Sequence, residues 1–174
     1  MNTTKKQEPS TRPLVSDRMD SPVGELTIVA SDAGLRAILW PVEKVGRVSF
    51  DEVVAPGSHT IIDRTKSQLT EYIAGERTTF DLPLDPVGTD FQQSVWKALQ
   101  SIDFGETASY GELATLLGKP KASRAVGSAT GRNPISIVVP CHRLIASSGK
   151  LTGFAGGLDA KRWLLSHEGP ERLF

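Results

Sequence analysis

The chain carries several hydrophobic rhythms, and each predicts a different element. Gly24 to Ala30 is β-branched and roughly alternating, and Leu35 to Trp40 is a second such run. Alternation suits a strand, whose successive side chains point to opposite faces. Asp32-Ala33-Gly34 lies between the runs, so the pair predicts a β-hairpin. Asp51 to Asp63 has no clear period and is expected to be loop. Lys66 to Ala74 sets Leu69, Tyr72 and Ile73 at helical spacing, with Gly75 as the stop. Thr79 to Leu84 is a candidate return strand.

Pro83 to Gly88 holds two prolines and a glycine in six residues and reads as a linker. Beyond it the texture turns helical. Thr89 with Gln92, and Ser109 with Glu112, have the spacing of capping boxes. Phe91, Val95, Leu99 and Ile102 line one face of the first helix, which Gly105 ends. Leu113, Leu116 and Leu117 are the apolar face of the second. Gly118-Lys119-Pro120 is a break, and a third helix starts near Lys121 with Ala122, Val126 and Ala129 inward. Short helix, glycine-containing turn and short helix outline a helix-turn-helix, a shape shared with many helical hairpins that never touch DNA. Ile135 to Val139 predicts a short buried extended segment with Cys141 at its exit. Ser147 to Gly157, with four glycines, predicts a loop, and Leu158 to His167 a last helix stopped by Gly169.

These elements divide the chain into a disordered leader (1–17), an α/β domain (18–85) and a mostly helical domain (86–174). Composition adds little at first: 174 residues carry 20 basic and 20 acidic side chains. The local balance says more. From Lys119 to Lys150 there are six basic residues and no acidic one. Such a strip suits a phosphate backbone, although a solvated face has the same composition. No apolar run is long enough to span a membrane, and the start lacks the apolar core of a signal peptide. The expected location is the cytoplasm, or the nucleoid in a bacterium.

One cysteine excludes an internal disulfide, and with His59, His142 and His167 scattered, a structural zinc site is not expected. No metal or cofactor is expected. Cys141 is followed by His142 and Arg143. A thiol attacks carbon as its thiolate, which neighbouring positive charge favours. A lone cysteine after an apolar run is otherwise a small buried hydrophobe.

Pro140-Cys141-His142-Arg143, preceded by Asn133-Pro134 and the apolar run, resembles the active-site signature of O6-alkylguanine-DNA alkyltransferases. Tyr110, Ser123-Arg124-Ala125-Val126-Gly127, the pair Gly156-Gly157 and the closing Trp163 to Gly169 keep the family's order and spacing. The first half agrees more loosely, through Asp20 to Gly24 and the hairpin. The resemblance implies a ribonuclease-H-like α/β domain with a small antiparallel sheet, and a winged-helix-like second domain bearing the helix-turn-helix. It implies single-turnover transfer of an alkyl group from O6-alkylguanine in duplex DNA to Cys141, with O4-alkylthymine left open.

In that scheme His142 takes the thiol proton through a water and Glu168 orients His142. Asn133 fixes the turn carrying the cysteine, and Tyr110 donates a proton as guanine leaves. Arg124 fills the stack after the base has flipped out. Lys121, Ser123, Ala125, Gly127, Thr130 and Tyr110 are expected to meet DNA. Arg143, Leu144, Phe154, Ala155 and Gly156 are expected to line the guanine pocket. Family members often carry tyrosine where Phe154 stands and a small hydroxyl residue at Ala155. Some hold zinc in the first domain through cysteines that this chain lacks. A monomer is expected, with clustering along DNA left open. Two rivals remain at this point: a Cys-His hydrolase, which would turn over repeatedly, and a non-catalytic binder of alkylated DNA, which would lack the cysteine.

Overall fold

In the computed structural model, residues 12–169 are described; residues 1–11 of the expected leader lie outside them. Four strands form the first sheet: β1 (Leu14–Met19), β2 (Leu26–Ala30), β3 (Leu35–Leu39) and β4 (Val54–Pro56). Their order is β3-β2-β1-β4, antiparallel except that β4 runs parallel to β1. Alternation along β2 sends Leu26, Ile28 and Ala30 into the main core. Val29 joins Leu14 and Ala37 in a smaller cluster flanked by Val48 and Phe50. Helix α1 (Thr60–Ile73) buries Ile61, Ile62, Leu69 and Tyr72.

The hairpin forms as its alternation predicts. Three expectations for this half change. Leu14 to Asp17, assigned to the leader, belong to β1, and Leu14 is fully buried. The loop expected over Asp51–Asp63 contains β4 and the start of α1, which His59 caps by accepting the Ile61 N–H on Nδ1 at 3.1 Å. Thr79 to Leu84 forms no strand; Leu84 makes only an isolated bridge to Leu35.

The second lobe contains α2 (Asp90–Leu99), β5 (Ala108–Ser109), α3 (Tyr110–Leu116), α4 (Ser123–Gly131), β6 (Leu144–Ile145) and α5 (Leu158–Glu168). Both capping boxes close reciprocally, at Thr89 with Gln92 and at Ser109 with Glu112. The helices α3 and α4 are joined by a turn in which Gly118 has φ 72°. Leu116, read as part of the apolar face, is 64% exposed, so Leu113 and Ala114 anchor α3, with Tyr110 and Leu117 packed partly buried against the same core.

The lobes share one core, which runs from Leu26 and Tyr72 to Val126 and Leu164. The free edge of β3 is covered from both sides of the linker. Leu35 donates to the Pro83 carbonyl at 2.8 Å, and Ile38 to the Pro134 carbonyl at 2.9 Å. That pairing satisfies exposed strand groups and fixes the first lobe against the segment leading to Cys141. Among the described residues, no helix is long and apolar enough to cross a membrane.

Candidate active site

Cys141 is delivered by a tight reversal. The expected extended run Ile135–Val139 is instead a turn, closed by Val139 N–H donating to the Ile135 carbonyl at 2.9 Å. Ile137 has φ 73°, costly for a β-branched residue and tolerated only where surroundings over-determine it. Asn133 does much of that. Its amide donates to the Val139 carbonyl at 2.9 Å, and its oxygen accepts from Ile135 N–H at 3.0 Å. Arg47 of the first lobe donates to the Asn133 carbonyl and to Ser136 Oγ. A single 3-10 turn, Cys141–Arg143, follows, and all three of its side chains are buried.

Under this turn lies Glu168, at the end of α5. His142 Nε2 meets Glu168 Oε1 at 2.7 Å. Arg143 grips both oxygens, at 2.8 Å from Nε and 2.9 Å from Nη2. Tyr72 donates its hydroxyl to Oε1 at 2.7 Å. Burial opposes the carboxylate charge, but hydrogen bonds from His142 and Arg143 outweigh it and bring Glu168 down to about 2. An ionised carboxylate only accepts, so Nε2 carries the imidazole hydrogen. His142 Nδ1, buried and without a partner among the described residues, then holds a free lone pair. Burial also pushes the His142 pKa below its ordinary value, despite the pull of Glu168. The resting ring is a neutral base.

The sulfur is not a resting thiolate. Burial pushes the Cys141 thiol up, and only partly offset are the contacts from Asn133 and Ser136 and the positive charges of Arg47 and Lys161. The two cations named from sequence do not supply the favourable field. His142 is neutral, and the charge of Arg143 is spent on Glu168. Arg47 and Lys161, which sequence reading passed over, supply it. Lys161 is 1% exposed and donates Nζ to the Leu144 carbonyl at 2.7 Å.

Tyr110 opens α3 and is tied to the cysteine turn, because β5 pairs in parallel with β6 just beyond Arg143. Its ring packs near Gly127, and its hydroxyl bonds Thr152 Oγ1 at 2.8 Å. Phe154, Ala155 and Gly156 are half-buried beside it in sequence. Phe154 meets Trp40 edge-on at 5.4 Å. Gly156 is required to be small: a Cβ there would stand 2.6 Å from the Trp40 ring. Trp40, another residue not singled out from sequence, also donates its indole N–H to Ser136 Oγ at 3.0 Å. It joins the glycine-rich loop to the cysteine turn. Leu144 is fully buried, and Arg143 reaches Glu168 and the Ile102 carbonyl while also lining a cavity with Phe104, Val138 and Pro140.

On α4 and its approach, Lys121, Arg124 and Ala125 are exposed, and Ser123 and Gly127 are half-buried. Thr130, expected to meet DNA, faces inward at 8% exposure. With Arg143 buried, five basic side chains of the strip remain exposed: Lys119, Lys121, Arg124, Arg132 and Lys150.

A buried thiol and a neutral imidazole held by a carboxylate, on a lobe whose helix pair exposes basic side chains, have the parts of a cysteine nucleophile with its base beside an anion-binding surface. The chain belongs to the 6-O-methylguanine DNA methyltransferase family. That family's ribonuclease-like domain matches residues 14–86, and its DNA-binding domain matches residues 90–170. The methylated-DNA–protein-cysteine methyltransferase of Methanosarcina acetivorans is 47% identical over 150 residues, 86% of this chain and 95% of the relative. Its counterpart in Mycobacterium tuberculosis is 48% identical over 150 residues, 86% of this chain and 89% of the relative. The crystal structure of Mycobacterium tuberculosis OGT in complex with DNA superposes with a TM-score of 0.79 at 47% identity, covering 88% of this chain and 92% of that one.

Proposed function

We propose that Cys141 accepts the alkyl group of O6-alkylguanine in DNA, in one irreversible turnover per molecule. The thiol proton passes through a water to His142 Nδ1, and Glu168 stabilises the imidazolium. The sulfur then attacks the alkyl carbon as the bond from that carbon to O6 breaks. Tyr110 gives its hydroxyl proton toward the departing guanine, which leaves more easily neutral than as an anion. Sulfur ends as a thioether, and unmodified guanine remains in the DNA. The observation that carries this reading is the lone pair on His142 Nδ1, left by the Nε2 contact with Glu168.

DNA is proposed to lie across the exposed face of α4. A base inside a duplex is out of reach of any side chain, so the damaged nucleotide flips toward the cysteine turn. Arg124 fills the gap it leaves, with Lys121 and Ser123 on phosphates. The loop bearing Phe154, Ala155 and Gly156 walls the guanine, and parting of Tyr110 from Thr152 admits it.

Intact-mass measurement tests the assignment. Mixed with excess methylated duplex, the protein should gain one methyl group per chain and stop there. Repeated turnover with an unmodified thiol would sink the proposal and favour a hydrolase. Arg124→Ala is expected to slow repair in duplex DNA by about tenfold or more, because unstacking a base costs a few kcal/mol. Reaction with free O6-benzylguanine should stay within about twofold of the parent, and comparison of the two rates checks the wedge role.

A further inference from the structure

We infer that Tyr72, from the first lobe, is a positioning residue for alkyl transfer, its hydroxyl setting how strongly Glu168 holds the His142 ring. The inference rests on the reading of His142 as the base. Tyr72 is 1% exposed and reaches Glu168 across 96 positions of sequence. Three donors converge on Oε1: the Tyr72 hydroxyl, His142 Nε2 and Arg143 Nη2. One carboxylate oxygen has too few lone pairs to serve all three fully, so each donor weakens the hold on the others.

The placement of the phenol is specific. Its ring lies 5.4 Å from that of Phe80 and edge-on to Phe104 at 6.1 Å. The Tyr72 carbonyl contacts His167 Nε2 at 2.6 Å, so α1 is gripped by two successive residues of α5. The charged and titratable groups around the carboxylate are His142 and Arg143 from the cysteine turn, Tyr72 from α1, and His167 and Lys161 on its own helix. Lys161 acts on the His142 ring through its charge. Burial and the adjacent Glu168 push the Tyr72 phenol far above its ordinary value, so it donates throughout the working pH range.

Removing this donor should return acceptor strength to Oε1 and make His142 more basic. For Tyr72→Phe, the acid-side midpoint of the single-turnover rate against pH should rise by about half to one unit. A fluorotyrosine placed at position 72 is the opposite probe: a more acidic phenol donates more strongly, and the midpoint should fall. Phe80→Leu disturbs the same packing without touching the hydroxyl, so it should lower Tm and leave the midpoint in place.

Titration of the His142 ring by NMR, in a Cys141→Ser background, reads the same shifts directly and does not depend on activity. The Tyr72 inference is overturned if Tyr72→Phe and fluorotyrosine leave the midpoint where it was while Glu168→Gln moves or removes it. If Glu168→Gln also changes nothing, the base reading fails instead.

Discussion

Cys141→Ser is expected to abolish alkyl transfer while leaving the protein folded and able to bind duplex DNA. Serine is nearly the size of cysteine, and its hydroxyl meets the same polar neighbours, Asn133 and Ser136. The change in stability should stay within about 1–2 kcal/mol. The chemistry does not survive. The neutral His142 ring has a low basicity in its buried site, and a hydroxyl yields its proton to such a base far less readily than a thiol. A loss on the order of 10⁴-fold or more is expected, as when other activated nucleophiles are removed. Intact mass after incubation with methylated duplex reads the loss, and fluorescence anisotropy on the same duplex reads retained binding. Transfer at the parent rate would show that another side chain is the acceptor.

Glu168→Gln should be the most destabilising conservative change in the site. The amide keeps the shape of the carboxylate but turns one acceptor oxygen into a donor, facing groups that themselves donate. Arg143, 6% exposed, loses its counter-charge. Breaking a buried pair on one side typically costs about 3–5 kcal/mol. Transfer should also fall by about 10²–10⁴-fold, since the imidazolium formed during reaction loses its stabilising charge.

The pH dependence of stability separates the two effects. In the parent protein the Glu168 carboxyl titrates at about 2, against an ordinary 4.5. A depressed carboxyl contributes stability that is present above its unfolded value and lost as pH falls through the folded one. His142, held neutral below its ordinary 6.5, adds a loss that begins as pH drops past that value. Denaturant midpoints for the parent should therefore fall in acid from about pH 6.5 downward. The variant should start lower and lack the component between 4.5 and 2. Equal slopes in both proteins through that range would refute the role of Glu168 as the buried anion.

What the sequence made legible was mostly local. Thr89 with Gln92 and Ser109 with Glu112 need only three residues of spacing to act, and both boxes form. The hairpin is carried by alternation and a turn. By contrast, β1 is broken by Ser16, Asp17 and Arg18 and becomes a strand only by pairing with β2 and β4. The start of α1 was hidden because histidine is not a usual cap. In the site, the family motif brought Cys141, His142, Glu168 and Asn133 into view. Arg47 and Tyr72 were beyond reach, since their partners lie 86 and 96 positions away. Lys161 was available from pattern. Lys161, Leu164, Leu165 and Glu168 form an inward stripe at helical spacing. Two charges on a buried stripe announce polar business inside the fold, but counting leucines alone passes over them.

The 5% exposure of Cys141 bears on what becomes of a molecule after it has acted. The sulfur sits among Asn133, Ser136 and a reversal already strained at Ile137. On the proposed reading, a methyl group gained there adds a carbon at a buried site, and crowding of a packed site generally weakens a fold by about 1–3 kcal/mol. The spent protein is therefore expected to melt below the fresh one, and thermal unfolding of the two forms checks it. On that account, the bond that ends its working life would also loosen the structure around it.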